Sequence, residues 1–351
     1  MIKKLLLIGI IINFIYVLSG AVHYPLRSVD VYGIWLFKAK AFYLENGIPL
    51  KTLTNPRYFY THPYYPLLLP FTYYLGFRAL GFVADQHILL VFPLVYLFIC
   101  SLVYFSLRLL HISRFSSLLF TFIYSHFSVL LAQSGRMHAG NADIVIVLLL
   151  WMLFVTILRH RSYWLTPLIV ILASQIKTEG IFLSPLIFLL PINRNKKIII
   201  FILSLLPFII WQIFRINHRF SIGQTFIIYN IPELIARSLS IFKYIPLEMF
   251  NFRNWYIFWQ LFLLLLVFVP GKAYPSYPVF WHKFLLLIIP FFLIIYLFSP
   301  YAPKASIPSS ADRIMFQLSP FFYPLFCLKL NQLVNYPPPR PHPISSSVKS
   351  R

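Results

Sequence analysis

Apolar residues run along this chain in long unbroken stretches, not in the alternation of a strand or the one-sided stripe of a soluble helix. The clearest are Leu5–Tyr16, His87–Leu110, Ser116–Leu131, Ile144–Leu158, Ile198–Phe214, Trp255–Val269, Phe284–Phe298 and Ile314–Leu330. Several approach the roughly 20 residues that cross a 30 Å hydrocarbon core. Two shorter runs, Trp164–Gln175 and Ile181–Leu190, count as spans because they recur between polar loops. The pattern predicts an all-α, polytopic transmembrane bundle of about ten spans over residues 1–335. Residues 336–351, rich in Pro and Ser, read as a disordered cytoplasmic tail.

Charge orients the bundle. Lys3 and Lys4 precede the first run and hold the N-terminus in the cytoplasm, so that run reads as an uncleaved span with residues 22–86 outside. Within this long loop, Ile34–Leu44 carries Lys38 and Lys40 on one side and suits a helix lying on the membrane surface. Leu67–Leu80 is apolar but holds Pro70, Gly76 and Arg78. If it crossed, the basic loops Arg108–Arg114, Arg159–Arg161 and Arg194–Lys197 would all fall outside, against the positive-inside rule. A surface-lying helix is therefore expected there too. Residues 215–254 form a second long outer loop, and both termini lie inside. No internal repeat is visible, so the inverted-repeat signature of many transporters is missing.

Composition sharpens this picture. The chain is 60% hydrophobic and only 11% charged, too little charge to cover a water-soluble fold. Its 30 Lys and Arg stand against 8 Asp and Glu, for a net charge of +22. The charges are scattered through short loops, which argues against a nucleic-acid partner and for membrane lipids. Cys100 and Cys327 sit inside apolar runs without metal-ligand spacing and read as small apolar fillers.

The carboxylates carry the chemical signal. Under this topology all 8 fall on the outer side, from Asp30 and Glu45 through Asp143 and Glu179 to Asp312. Half of the basic residues share that face, Arg57, Lys177, Arg215 and Arg313 among them. An outer site for a phosphate-bearing ligand accounts for both signs, with basic groups on the phosphate and a carboxylate as general base. Plain structural readings stand beside each candidate. Asp30 could cap a helix, Asp143 could favour a helix N-terminus, and Lys177 could pair with Glu179. Arg313 could snorkel and His62 could bond the backbone. The Trp and Tyr residues could form an interfacial belt, or Trp35, Tyr58, Tyr60, Tyr64 and Tyr65 could stack on a sugar.

The ordered segments SVDVYGIWLFKAKA, HPYYPLLLP, GRMHAGNADI, SQIKTEG and SSADRIMFQLSP resemble the GT-C class of membrane glycosyltransferases. The nearest likeness is to its dolichyl-phosphate-mannose protein mannosyltransferase and aminoarabinose-transferase branch. The likeness covers roughly residues 1–200 and, weakly, 300–325; the large C-terminal outer domain of that branch is lacking. It implies a polyprenyl-phosphate sugar donor, a lipid, glycan or protein acceptor, and inverting transfer on the outer face. Asp30 and Asp143 fall where the family places its acidic residues, with Asp30 the expected base. Lys177, Arg313, Arg57 and His62 are the expected cations for the leaving phosphate, with Glu179, Lys38, Trp35 and Tyr65 beside them. Asp30 and Asp143 do not form the paired acids that relatives use for a metal, so no cofactor is expected. The implied location is a bacterial or archaeal plasma membrane. A multi-pass transporter or lipid flippase for an anionic lipid-linked substrate is the alternative, and a membrane polymerase or ligase acting on lipid-linked glycans is a third. A transporter would need ionisable groups near mid-span, whereas the span centres here are nearly pure Leu, Ile, Phe and Val.

Overall fold

A computed structural model describes residues 1–25, 28–135, 138–159, 164–190, 192–220, 228–269, 283, 294–299 and 301–335. Among these the chain is helical throughout, with no strand. Four helices are long and apolar enough to cross a membrane. They are α1 (Ile2–His23), the continuous stretch Asp85–Leu109 whose main part is α4 (Val91–Leu109), α7 (Ala142–Arg159) and α9 (Arg194–Asn217). A fifth candidate is broken: α5 (Arg114–Ser125) and α6 (Ser128–Gly135) meet at a 65° bend inside the run expected to be one span.

Other expected spans are shorter than their runs. Helix α8 (Leu165–Ile176) has 12 residues, about 18 Å at 1.5 Å per residue. The segment Thr178–Leu189 is wound as a tighter 3₁₀ helix with Pro185 inside it. Helix α3 (Leu68–Leu80) has 13 residues, about 20 Å long and so short of a 30 Å core. The segment 215–254, expected as the second long outer loop, holds α10 (Ile231–Met249). Of the expected span at 284–298, residues 284–293 lie outside the described residues, as does the whole tail at 336–351.

One continuous core joins α4, α7, α8 and the last helix, α12 (Pro303–Asn335). Helix α7 is its axis, buried over 72% of its most apolar window, where α9 is buried over only 11%. Apolar burial gives the core no register, so polar pins inside it set how the helices slide. Tyr124 Oη and Ser319 Oγ lie 2.7 Å apart, and Trp151 Nε1 donates to Tyr124 Oη at 3.1 Å. Tyr323 Oη donates to the Phe120 carbonyl at 2.5 Å. These bonds tie α12 to α5 and α7. Arg313 and Gln317, six and two residues N-terminal to Ser319, then face the start of α7.

The segment between α1 and α4, expected as the first outer loop, is a packed layer. Asp30–Leu36 forms a widened π-helical turn that runs into α2 (Phe37–Glu45), and π turns recur at functional sites. The expectation that Lys38 and Lys40 line an exposed face is corrected here. Lys38 is fully buried, and Lys40 pairs with Asp85 at 2.5 Å. Helix α2 packs on α3 instead, so its second face is covered by protein.

Candidate active site

Four separate elements deliver the charged groups. Asp30 opens the π turn. Asp143 stands in the first turn of α7, just after Gly140, which holds a left-handed φ of +94°. A Cβ at Gly140 would also come within 2.7 Å of Leu89 and 2.8 Å of Val31. Tyr73 Oη donates to the Gly140 carbonyl at 2.7 Å and fixes this turn. Lys177 and Glu179 sit where the chain reverses after α8, and a Cβ at Gly180 would lie 2.3 Å from the Ala173 carbonyl. Only glycine allows that approach of backbone to backbone. Arg313 and Gln317 occupy successive turns of α12.

These groups converge on Asp143. Its Oδ1 accepts from Lys177 Nζ at 3.0 Å and from Gln317 Nε2 at 2.6 Å, and its Oδ2 accepts from Arg313 Nη1 at 3.4 Å. The Asp143 side chain is 1% exposed, so charges that would be costly alone are matched in place. Arg313 Nη1 also donates to Asp30 Oδ2 in a short contact. Asp30 is different in kind, with 35% of its side chain exposed and Arg313 its one hydrogen-bond partner among the described residues.

The geometry sorts the readings left open by the sequence. Asp30 caps no helix and Asp143 does not bond its own backbone; both turn to Arg313. Lys177 pairs with Asp143 and not with Glu179, which accepts from Thr178 Oγ1 at 3.1 Å. Arg313 bridges two distant carboxylates and leaves its neighbour Asp312 aside. Asp30 and Asp143, far apart in the chain, share one guanidinium. The other carboxylates serve local structure. Glu233 pairs with Arg237, Glu45 binds the backbone of Lys51 and Thr52, and Glu248 accepts from Asn254 and Trp255.

Beside the charges stands an aromatic wall. Trp35 and Tyr65 stack at 5.5 Å with a 12° tilt, and Tyr65 stacks on His62 at 5.3 Å. His62 takes a left-handed φ of +51°, and its Nδ1 meets Tyr64 Oη in a short hydrogen bond. Burial, and secondarily the charge of Lys38, hold His62 below the usual imidazole range. Lys38 Nζ donates to the His62 carbonyl at 2.7 Å and lies 5.7 Å from both the Trp35 and Tyr65 rings. It braces the wall from behind. With no carboxylate against it, burial pushes the Lys38 amine from 10.5 down to about 7.

A stability profile follows. Because the folded value is depressed, the contribution of Lys38 is fully present above the unfolded value near 10.5 and is lost as pH falls to about 7. The melting temperature of the wild type should therefore climb between pH 7 and pH 9 relative to that of Lys38→Met. Parallel profiles for the two proteins would show that Lys38 keeps its ordinary amine in the fold.

All of this borders one cavity of about 840 Å³. Of the expected residues, Asp30, Asp143, Lys177, Glu179, Arg313, His62, Trp35 and Tyr65 line it. Two do not. Arg57 is exposed at the start of a separate 3₁₀ turn, Pro56–Thr61, and Lys38 lies behind the wall. The sequence reading missed Asn141, Gln212 and a hydroxyl-rich edge made by Ser306, Ser309 and Ser310 in the cavity, and Gln317 behind it on Asp143. Gln317 was discoverable, since it stands one helical turn from Arg313. The serines carried no pattern that marked them out. Two buried donors at the cavity, Trp35 Nε1 and Asn141 Nδ2, have no hydrogen-bond partner among the described residues, a pattern concentrated where proteins bind ligands.

Comparison of the chain with protein-family models, with curated proteins and with solved structures returns no match.

Proposed function

We propose that this chain is a membrane glycosyltransferase that moves a sugar from a polyprenyl-phosphate donor to a lipid, glycan or protein hydroxyl on the outer face. The observation that carries the reading is the single cavity where Asp30, Asp143, Lys177, Arg313 and a Trp35–Tyr65–His62 stack meet. Those residues come from the segments that resemble the GT-C class, and they lie far apart in the chain. Aromatic faces suit a sugar ring, and a half-exposed carboxylate suits a general base.

In the proposed step the acceptor oxygen attacks the anomeric carbon as the bond from that carbon to the phosphate oxygen breaks. Asp30 takes the acceptor proton on its less engaged oxygen, and polyprenyl phosphate leaves as an anion. Inversion follows from a single displacement. Arg313, already bonded to Asp30, and Lys177 are preorganised cations for the charge that develops on the leaving oxygen. Asp143 is buried and fully paired, so its part is to hold those two cations in place. The deciding experiment incubates the purified protein with radiolabelled polyprenyl-phosphate sugars and an envelope lipid extract. Transfer of label supports the reading. Transport of an intact lipid-linked substrate across a vesicle membrane without transfer would replace it with the flippase alternative.

The same reading extends the long apolar helices to about ten spans with both ends inside, in a GT-C-like arrangement. Cysteine labelling at Ser162 and at Ser221 should then report opposite sides of the membrane. Labelling of both from outside would refute this topology.

A further inference from the structure

Three cations line the cavity: Lys177, Arg313 and Arg215. The first two are already neutralised, Lys177 by Asp143 and Arg313 by Asp30 and Asp143. Arg215 has no ion pair and no side-chain hydrogen bond among the described residues, and Glu179, the remaining carboxylate of the cavity, lies beyond ion-pair reach of it. It is half-buried, a setting in which a cation gains most from an incoming anion.

Its position says which kind of anion. Arg215 stands in the last turn of α9, and Phe208, Gln212 and Arg215 form one stripe of that helix facing the cavity. The side of α9 turned away from the cavity is apolar and exposed in its middle, with Ile202, Leu206 and Ile209 each about half exposed. The end of the helix is pinned. Trp211 Nε1 donates to the Tyr64 carbonyl at 3.2 Å, and Trp211 packs with Leu53 and Phe220. An unpaired guanidinium is thus fixed on the cavity side of α9, at the end of a helix whose opposite side is exposed and apolar.

Resting on the reading above, we propose that Arg215, with Gln212 and Tyr64 beside it, receives the phosphate of the lipid-borne substrate. The hydrocarbon tail then leaves the cavity past the end of α9, where Arg215 stands. The pair Lys177 and Arg313 is left for the reacting end. This adds Arg215, on the non-bridging oxygens of that phosphate, to the two cations that the sequence pointed to.

The test uses the full chain in nanodiscs with three probes: a fluorescent polyprenyl monophosphate, the matching neutral polyprenol, and inorganic phosphate as competitor. Wild type should prefer the phosphate lipid over the alcohol by about 10-fold or more, the scale of one charge-assisted contact. Arg215→Gln should bind the alcohol as wild type does, which shows that it is folded, and should lose most of that preference. Arg215→Lys should keep part of it. Full retention of the preference in Arg215→Gln overturns the assignment. Competition by inorganic phosphate at concentrations comparable to the lipid overturns the lipid-borne source. The two readings fail separately. Sugar transfer with an Arg215-independent preference removes only the subsite, and an Arg215-dependent preference without transfer of any sugar removes only the transferase.

Discussion

Asp143→Asn should destabilise the protein by about 3–5 kcal/mol, the cost of breaking a buried ion pair from one side. The variant keeps the size of the side chain, and one amide oxygen still accepts from Gln317. It loses the charge that compensates Lys177, which is only 16% exposed, and Arg313, which is 23% exposed. Two cations would then face each other in a half-buried cavity without an anion between them. Thermal unfolding in detergent should show a large drop, or the variant should fail to accumulate. Adding Lys177→Met to Asp143→Asn should recover part of the loss, since the uncompensated charge is removed with its partner. A melting curve for Asp143→Asn that overlays the wild type would show that the network is not what holds α7, α8 and α12 together at this end.

Asp30→Asn should do the opposite, leaving stability near wild type and lowering sugar transfer by about 100-fold or more, the range for loss of a general base. Asp30 is 35% exposed and shares its guanidinium with Asp143. Loss of this half-exposed pair is worth at most about 1 kcal/mol. Asn can still accept from Arg313, so the substrate should bind normally while the proton has no acceptor. Transfer at near-normal rates in Asp30→Asn would leave Asp30 as a tether for Arg313 and would pass the role of base to another group. The two carboxylates sit on one guanidinium, yet substitution of one should be read in the melting curve and of the other in turnover. Burial is what separates them.

Much of this site could be read in the chain itself. Carboxylates are so scarce, at 8 in 351 residues, that each one near a bilayer calls for an explanation. Asp30, Asp143, Lys177 and Arg313 were picked on that ground, and they meet at one point. Which pairs with which was not legible. Sequence neighbours suggested Lys177 with Glu179 and Arg313 with Asp312, because proximity along the chain is all that a sequence displays. The observed partners are 34, 170 and 283 residues apart. Lys38 shows the same limit. Its spacing with Lys40 suggested a wetted helix face, but α3 and the Trp35–Tyr65 stack cover it.

What the sequence determined by itself is the solvent and the class of fold. Long apolar runs with few charges suit a bilayer, where backbone groups must be satisfied internally, here by helices long and apolar enough to cross one. Tertiary structure alone decided where the runs break and which polar groups meet. The 65° bend between α5 and α6 falls at Ser125–Ser128, inside a run read as one span, and Arg215 reads as one basic loop residue among many. Hydrophobic transfer depends on area and not on direction. It can therefore commit a segment to the membrane without choosing its partners, a choice made by short-range bonds such as Tyr124 to Ser319 and Arg313 to Asp30.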